Sequence, residues 1–229
     1  MKKYIFLALI VCIATSVRAQ QKVKASDIIA MINDGKPVSF KDVVIEGELD
    51  LTNLKNRETH HSQWSDDDVI KSTVNTSLQF VNCTFVNDVL AYYHWQYEDE
   101  TYAADFNGDV TFKHCKFEAK SEFKYSEFAR QADFSECVFS EPANFKYANF
   151  FTGANFSKAV FKDEADFKYA KFPEGSSLEG AQFDGRANFK YTKFKTPLYV
   201  KNISFNGSRD FKYSRVGGKP FSDFLWDER

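Results

Sequence analysis

The sequence predicts an all-β solenoid: a four-sided parallel β-helix with 22 residues per coil. Three observations carry that prediction. Large apolar residues recur at alternating gaps of five and six from Phe112 to Val216. The tripeptide Phe-Lys-Tyr begins at Phe123, Phe145, Phe167, Phe189 and Phe211, each 22 residues after the last. The chain also holds 25 Phe and 11 Tyr but only 2 Met and 5 Pro, at a mean hydropathy of -0.45, so its apolar content is concentrated in one residue type. Such a bias is what a repeat architecture produces.

The spacing excludes the simpler elements. A helix repeats at roughly 3.6 residues and a plain strand at about two, and neither gives alternating gaps of five and six. Two gaps close 11 residues, so the step between Phe-Lys-Tyr tripeptides makes one coil from two such units, with four sides. Residues one coil apart then stack at about the 4.8 Å spacing of hydrogen-bonded strands. Two positions before most of the large residues stands a small one, as at Ser121, Ala132, Cys137, Ala143, Ala148, Ala159, Ala165 and Ala187. Period-2 geometry turns it inward beside the Phe. A ring of Phe fits inside a four-sided coil only if that neighbour is small. The residue directly before the Phe is often Asp or Asn: Asp133, Asn144, Asn155, Asp166, Asn188 and Asp210. It faces outward, where it is expected to bond to nearby backbone or to its stacked counterpart. Asn between the acids avoids a continuous like-charge column.

Segments such as Ala132-Asp133-Phe134, Ala143-Asn144-Phe145, Ala154-Asn155-Phe156, Ala165-Asp166-Phe167 and Ala187-Asn188-Phe189 resemble the pentapeptide-repeat proteins. In their motif Ala, then Asp or Asn, then Leu or Phe, precede two variable residues. The resemblance covers residues 103–216 well and 38–90 loosely. It implies a right-handed quadrilateral β-helix, and the handedness comes from the resemblance alone. The family's sides are five residues each. The alternation here implies that two corners per coil are wider than that norm. The gyrase-protecting role of some relatives is not carried over, given the expected export and the weak charge.

Residues 1–19 read as a secretory signal peptide. Lys2 and Lys3 precede an apolar run from Tyr4 to Thr15, and Val17 and Ala19 suit cleavage after Ala19. The expected location is the periplasm or the extracellular space. That run is short for a membrane span, and no later stretch is long and apolar enough to cross a bilayer. Lys2, Lys3 and Arg18 leave with the peptide, so 27 basic residues stand against 32 acidic ones. This balance argues against nucleic acid as a partner, which calls for a concentrated basic face.

Residues 20–37 form an N-terminal segment, with a capping helix over Ser26–Gly35 that has Ser26 as its N-cap and Gly35 as its stop. The solenoid is assigned to 38–216. Phe40, Ile45 and Leu51 open it, the rhythm then breaks, and Phe80 and Phe85 resume it. Insertions fall within 55–77 and 88–103, and the register sends both out near the same pair of corners. Residues 217–229, with Phe221, Phe224, Leu225 and Trp226, form a C-terminal cap: a lid, or the contact of an end-to-end dimer.

The insertions hold the most unusual residues: His60, His61, Trp64 and the run Asp66-Asp67-Asp68 in the first, and Tyr92, Tyr93, His94, Trp95 and Tyr97 in the second. Aromatics beside acids suit recognition of a protein or a glycan. The histidines lack metal-ligand spacing, and no catalytic, cofactor or metal residue is assigned. The chain has no serine nucleophile elbow, no phosphate-binding glycine loop and no HExxH motif. The second candidate surface is the ladder of Lys124, Lys146, Lys168, Lys190 and Lys212 with Tyr125, Tyr147, Tyr169, Tyr191 and Tyr213. It reads either as rings closing one corner or as a flat aromatic-basic strip for an acidic polymer. The leading functional expectation is a non-enzymatic exported scaffold recognising protein or glycan. The alternatives are an enzyme acting on an envelope or extracellular polysaccharide through loop acids and His94, and a purely structural module. Cys83, Cys115 and Cys137 occupy the small inward position and are expected to be buried thiols.

Overall fold

The computed structural model describes residues 20–60, 69–97 and 99–227. The signal-peptide reading of residues 1–19 lies outside them. The described chain is a right-handed, four-sided parallel β-helix whose strands form four sheets of eight, ten, seven and seven strands. Pairing follows the 22-residue step: Phe117 lies against Phe139, Ala143 against Ala165, and Phe172 against Phe194.

The four faces follow one another along each coil. The first carries Phe80, Phe112, Phe134 and Phe156; the second Phe85, Phe117, Phe139 and Phe161; the third Phe123, Phe145, Phe167 and Phe189; the fourth Phe106, Phe128, Phe150 and Phe172. All of these are buried. On the second face the rings stack from Phe85 to Phe205 at centroid separations of 4.7–5.0 Å. The first and third faces meet across the interior edge to face, with Phe134–Phe145 at 5.3 Å and 80° and Phe145–Phe156 at 5.2 Å and 86°. Parallel stacking along a column and edge-to-face contact between columns are the two arrangements the ring quadrupole favours. The inward neighbours Ala132, Ala143, Ala159 and Ala165 are buried beside them.

The corners differ in kind. After the first and third faces the turn is tight. Ala148 N–H donates to Phe145 O at 3.0 Å, and Ala159 N–H to Phe156 O at 3.1 Å. The residue before the Phe caps the turn: Lys146 N–H donates to Asn144 Oδ1 at 3.1 Å and Lys168 N–H to Asp166 Oδ1 at 2.8 Å. This is how the outward Asp and Asn residues are used. One amide also bridges coils, Asn144 Nδ2 donating to Glu122 Oε2 at 2.7 Å.

Both insertions leave the corner between the third and fourth faces. After Leu51 the chain makes a hairpin of Glu58–His60 and Val69–Val74. After Ala91 it makes another of Tyr92–Trp95 and Glu100–Phe106. Their returning strands pair in parallel over six positions, from Thr101 with Val69 to Phe106 with Val74. The fourth face therefore flares into a sheet that projects past the corner.

The N-terminal end is closed twice. Gln21–Lys24 adds a parallel strand to the edge of the second face, against Val43–Glu46, an element the periodicity does not signal. A helix, Ala25–Asn33, then crosses the end with Ile28 and Ile32 buried. Its N-cap is Lys24, with no side-chain cap, so the expected role of Ser26 is not realised. The preceding strand runs directly into the helix and sets its N-cap two residues earlier, at Lys24. Gly35 does end it: at φ +67, it donates to Ile32 O at 3.0 Å while Lys36 N–H reaches Met31 O at 2.9 Å, a Schellman arrangement.

The C-terminal end is closed only in part. Lys219–Pro220 folds back antiparallel on Arg215–Val216 and leads into a helix, Phe221–Asp227. Phe221 plugs the end against Phe194 (4.9 Å) and Phe211 (5.1 Å). Phe205 and Phe211 stay half-buried, Trp226 is 71% exposed, and a cavity of about 420 Å³ lies between them.

Cys83, Cys115 and Cys137 are buried free thiols on one column. Hydrogen bonding along the column, with burial, pushes Cys83 and Cys115 well above the ordinary thiol range. They stay protonated and act as small apolar groups.

The interior predicts two opposite failures at two buried positions. Phe145→Ala removes a ring that meets six others and should cost ~3–5 kcal/mol. Ala159→Leu should overpack the core at a cost of ~1–3 kcal/mol. Both lower the urea midpoint, and an unchanged midpoint for either variant contradicts the inward assignment.

Candidate functional site

The insertion candidates separate by position. His60 ends the outer strand of the first hairpin, paired with Val69. His61, Trp64 and Asp66-Asp67-Asp68 lie outside the described residues. In the second hairpin strand alternation splits the aromatics between two sides. Tyr93 and Trp95 are each 44% exposed, with ring centroids 6.1 Å apart and nearly perpendicular planes, and Tyr102 lies 6.3 Å from Tyr93. Tyr97 stands at the tip, 95% exposed. Tyr92 and His94 face the other way. His94 Nδ1 lies 3.1 Å from Thr101 Oγ1, and its Nε2 lies 3.6 Å from Asp99. The nearby acids are engaged individually: Glu100 accepts from the Tyr102 hydroxyl, and Asp105 pairs with Lys71 at 2.8 Å. Among the described residues no group of three or more His, Cys, Asp or Glu side chains is placed to hold a metal ion.

The ladder occupies the corner the hairpins leave, continued down the solenoid. Tyr125, Tyr147, Tyr169, Tyr191 and Tyr213 stack at 4.7–5.0 Å with planes within 20° of parallel. Each preceding lysine has the same relation to its ring: the ammonium groups of Lys124, Lys146, Lys168, Lys190 and Lys212 lie 4.8–5.5 Å from the centroid of the next tyrosine. Tyr92 extends the column upward. Its ring lies 5.8 Å from that of Tyr125, and Lys124 Nζ donates to its hydroxyl at 2.8 Å. The hairpin and the ladder are thus one continuous surface. The sequence holds the signal for this junction, because Ser121 pairs with Val89. Counting on from that pair puts Tyr92 above Lys124, but only once the insertion is known to begin after Ala91.

Every ladder tyrosine sits in the left-handed region, at φ +61 to +63. For a bulky residue this costs about 1–2 kcal/mol. An offset ring stack is worth about 0.5–1.5 kcal/mol, and an inner ring has two. Stacking therefore matches or exceeds the strain. The corner on the opposite side of the coil is the control. His114, Glu136, Lys158, Gly180 and Asn202 occupy its equivalent position, with φ between +54 and +67. The backbone there accepts almost any side chain, so it does not demand tyrosine here.

The electrostatics of the strip favour an anion. Among the described residues none of the five lysines forms an ion pair, and the hydroxyls of Tyr125, Tyr147, Tyr169, Tyr191 and Tyr213 have no protein partner. Neighbouring ammonium groups one coil apart repel by about 1 kcal/mol or less in water, and salt reduces this. Burial, then the charges of Lys124 and Lys168, hold Lys146 below the usual lysine range. Behind the lysines run Glu122, Asp166 and Asp210. Burial holds Glu122 and Asp166 above the usual carboxylate range, and Asp166 and Asp210 turn an oxygen to the turn backbone.

Strain and stacking make opposite predictions for glycine at the two corners. Lys158→Gly should raise the urea midpoint, through up to about 1 kcal/mol of relieved strain. Tyr169→Gly, at a similar backbone angle, should lower it, by up to about 2 kcal/mol net, as two stacks are lost. Equal shifts of one sign would mean that the tyrosine column adds nothing to packing.

A family model described as pentapeptide repeats (9 copies) matches residues 103–149, 123–171 and 145–193, overlapping placements that together cover residues 103–193. No curated protein and no solved structure matches the chain. No described helix is long and apolar enough to cross a membrane.

Proposed function

We propose that this chain, a pentapeptide-repeat protein over residues 103–193, is an exported, non-enzymatic recognition scaffold. Its binding surface is the corner where the aromatic hairpin meets the Lys–Tyr strip. The observation that carries this reading is the contrast between two corners of like backbone. One takes His, Glu, Lys, Gly and Asn in turn, and the other takes Tyr five times with Lys always before it. Packing accounts for part of the tyrosine. It does not account for five lysines at the same corner that form no ion pair among the described residues. Among the described loop acids, the engagement of Glu100 by Tyr102 and of Asp105 by Lys71 speaks against polysaccharide cleavage, which needs two carboxylates free to act on opposite sides of a bond. The signal-peptide pattern of residues 1–19 supports a partner outside the cytoplasm.

A glycan array probed with the exported protein tests the reading, with Edman sequencing of the same material expected to start at Gln20. Specific hits should be lost both in a Tyr92→Ser/His94→Ser hairpin variant, on the side that meets the strip, and in a Lys146→Gln/Lys168→Gln strip variant, each still folded by circular dichroism. Hits that survive both variants place recognition elsewhere. Release of reducing sugar from any array ligand supports the enzyme instead.

A second reading concerns assembly, and the open C-terminal end favours it. Half-buried Phe205 and Phe211, exposed Trp226 and the cavity beside them suit an end-to-end contact between two copies. Sedimentation equilibrium should then show a dimer that Trp226→Lys converts to monomer. A monomer at all concentrations removes this contact.

A further inference from the structure

The strip's geometry goes further and selects a ligand class. Aromatic columns bind neutral sugars or nucleic-acid bases by offering open ring faces. These rings do not offer them. Each inner tyrosine is covered on both sides by parallel neighbours at 4.7–5.0 Å. What reaches solvent is the ring edge, which carries the positive side of the quadrupole, and the phenolic hydroxyl, a hydrogen-bond donor. Beside each ring stands an ammonium group, 4.8–5.5 Å from the centroid. Every coil thus presents two donors and one positive charge, repeated at the strand spacing of about 4.8 Å. Two donors match the two oxygens of one carboxylate.

Resting on the recognition reading above, we propose that the strip binds a linear acidic polysaccharide, an extended chain of uronic acid residues laid along the solenoid axis with the carboxylates of alternate sugars turned to the strip. The advance per sugar of an extended pyranose chain is close to one coil rise, and in a two-fold chain consecutive sugars face opposite ways, so each carboxylate turned to the strip meets every second Lys–Tyr pair. Glu122, Asp166 and Asp210 flank the strip against five lysines, so positive charge stays in excess. A nucleic acid fits worse. Each strand of duplex DNA carries a charge about every 3.4 Å, denser than one per coil, and unpaired bases need the ring faces that are covered. At the upper end the hairpin, with Tyr92 as the first rung, closes the track. At the lower end Tyr213 is 54% exposed and leaves it open.

Titration calorimetry with the full chain tests this, using oligogalacturonates of two to eight sugars, cello-oligosaccharides of equal length, and oligothymidylate. Uronate affinity should rise with length and level off near the number of rungs, and should fall with added salt. Lys146→Gln/Lys168→Gln/Lys190→Gln should weaken it at least tenfold. Tyr147→Phe/Tyr169→Phe/Tyr191→Phe keeps the stack, removes only hydroxyls, and should weaken it severalfold. The control Lys171→Gln/Lys193→Gln, on a basic column of the fourth face without tyrosines, should change it less than twofold. Equal affinity for cello-oligosaccharide or oligothymidylate overturns the assignment, as does uronate binding untouched by the triple lysine variant. Failure with uronates while strip-dependent array hits persist overturns the ligand class and leaves the recognition reading standing. Loss of strip-dependent hits altogether overturns both.

Discussion

The structure depends on a coincidence of lengths. Hydrogen-bonded parallel strands are spaced at about 4.8 Å, and offset-stacked aromatic rings are favourable at centroid separations from about 4.5 Å upward. A coil that returns a residue directly above its predecessor therefore places a phenylalanine at stacking distance from the one below, as Phe117, Phe139 and Phe161 do at 4.7–4.8 Å. Backbone pairing and side-chain packing ask for the same rise, so neither strains the other. The small inward slot follows. With four rings converging from four faces, no volume remains for a second large side chain per side. The slot selects on size more than on polarity. Thr192 and Ser214 fill it where Ala148 and Ala170 stand in other coils, and they turn their hydroxyls to Phe167 O (2.7 Å) and Phe211 O (2.6 Å).

The same rise explains why strain is tolerated at the corners. A tight turn between faces forces one residue per turn into the left-handed region, a position glycine fills most cheaply. Glycine appears there once in the regular coils, at Gly180. Elsewhere the turn is held by an outward Asp or Asn that accepts the N–H of the second residue on, by the closing bond to the Phe carbonyl, and by the coils above and below. Many small constraints, each repeated every coil, over-determine the angle. On the tyrosine side a further one is added, because a ring projecting from a left-handed residue falls directly over its neighbour.

What was legible in the sequence is whatever repeats. The Phe columns, the Ala slot, the outward Asx and the 22-residue coil are periodic, and period is what a single sequence displays most clearly. The parts that escaped are those that occur once. Gln21–Lys24 is too short and polar to read as a strand, and it becomes one only because the edge of Val43–Glu46 is there to receive it. Ser26 has the composition of an N-cap, yet the incoming strand fixes the helix start at Ala25 and leaves Ser26 inside the first turn. The two hairpins could be bracketed, because missing rhythm shows where regular coils stop. Their joint sheet could not be seen, since it rests on cross-coil pairing between Val69–Val74 and Glu100–Phe106 that no local pattern announces. For the candidate site this means that the ladder was visible as letters, whereas its continuity with Tyr92 was not.

A strip of this kind has a characteristic energetics. Each exposed lysine–carboxylate contact is weak, typically a fraction of a kcal/mol up to about 1, and one rung alone would hold nothing. Held at fixed spacing by the solenoid, the rungs act on one chain, so that once the first contact forms the others face a high effective concentration. Rigidity is the scaffold's contribution, because the Phe interior gives the rows of donors a spacing that thermal motion does not blur. Flexibility is the lysine's contribution. Its four-carbon stem lets the ammonium follow a ligand whose repeat differs slightly from the coil rise. The mismatch still accumulates along the track, so discrimination between polymers of similar repeat must grow with the number of rungs engaged. A five- or six-rung track with one end closed by the hairpin is long enough to favour extended chains over free sugars. It is also short enough that a modest mismatch in repeat does not forbid binding.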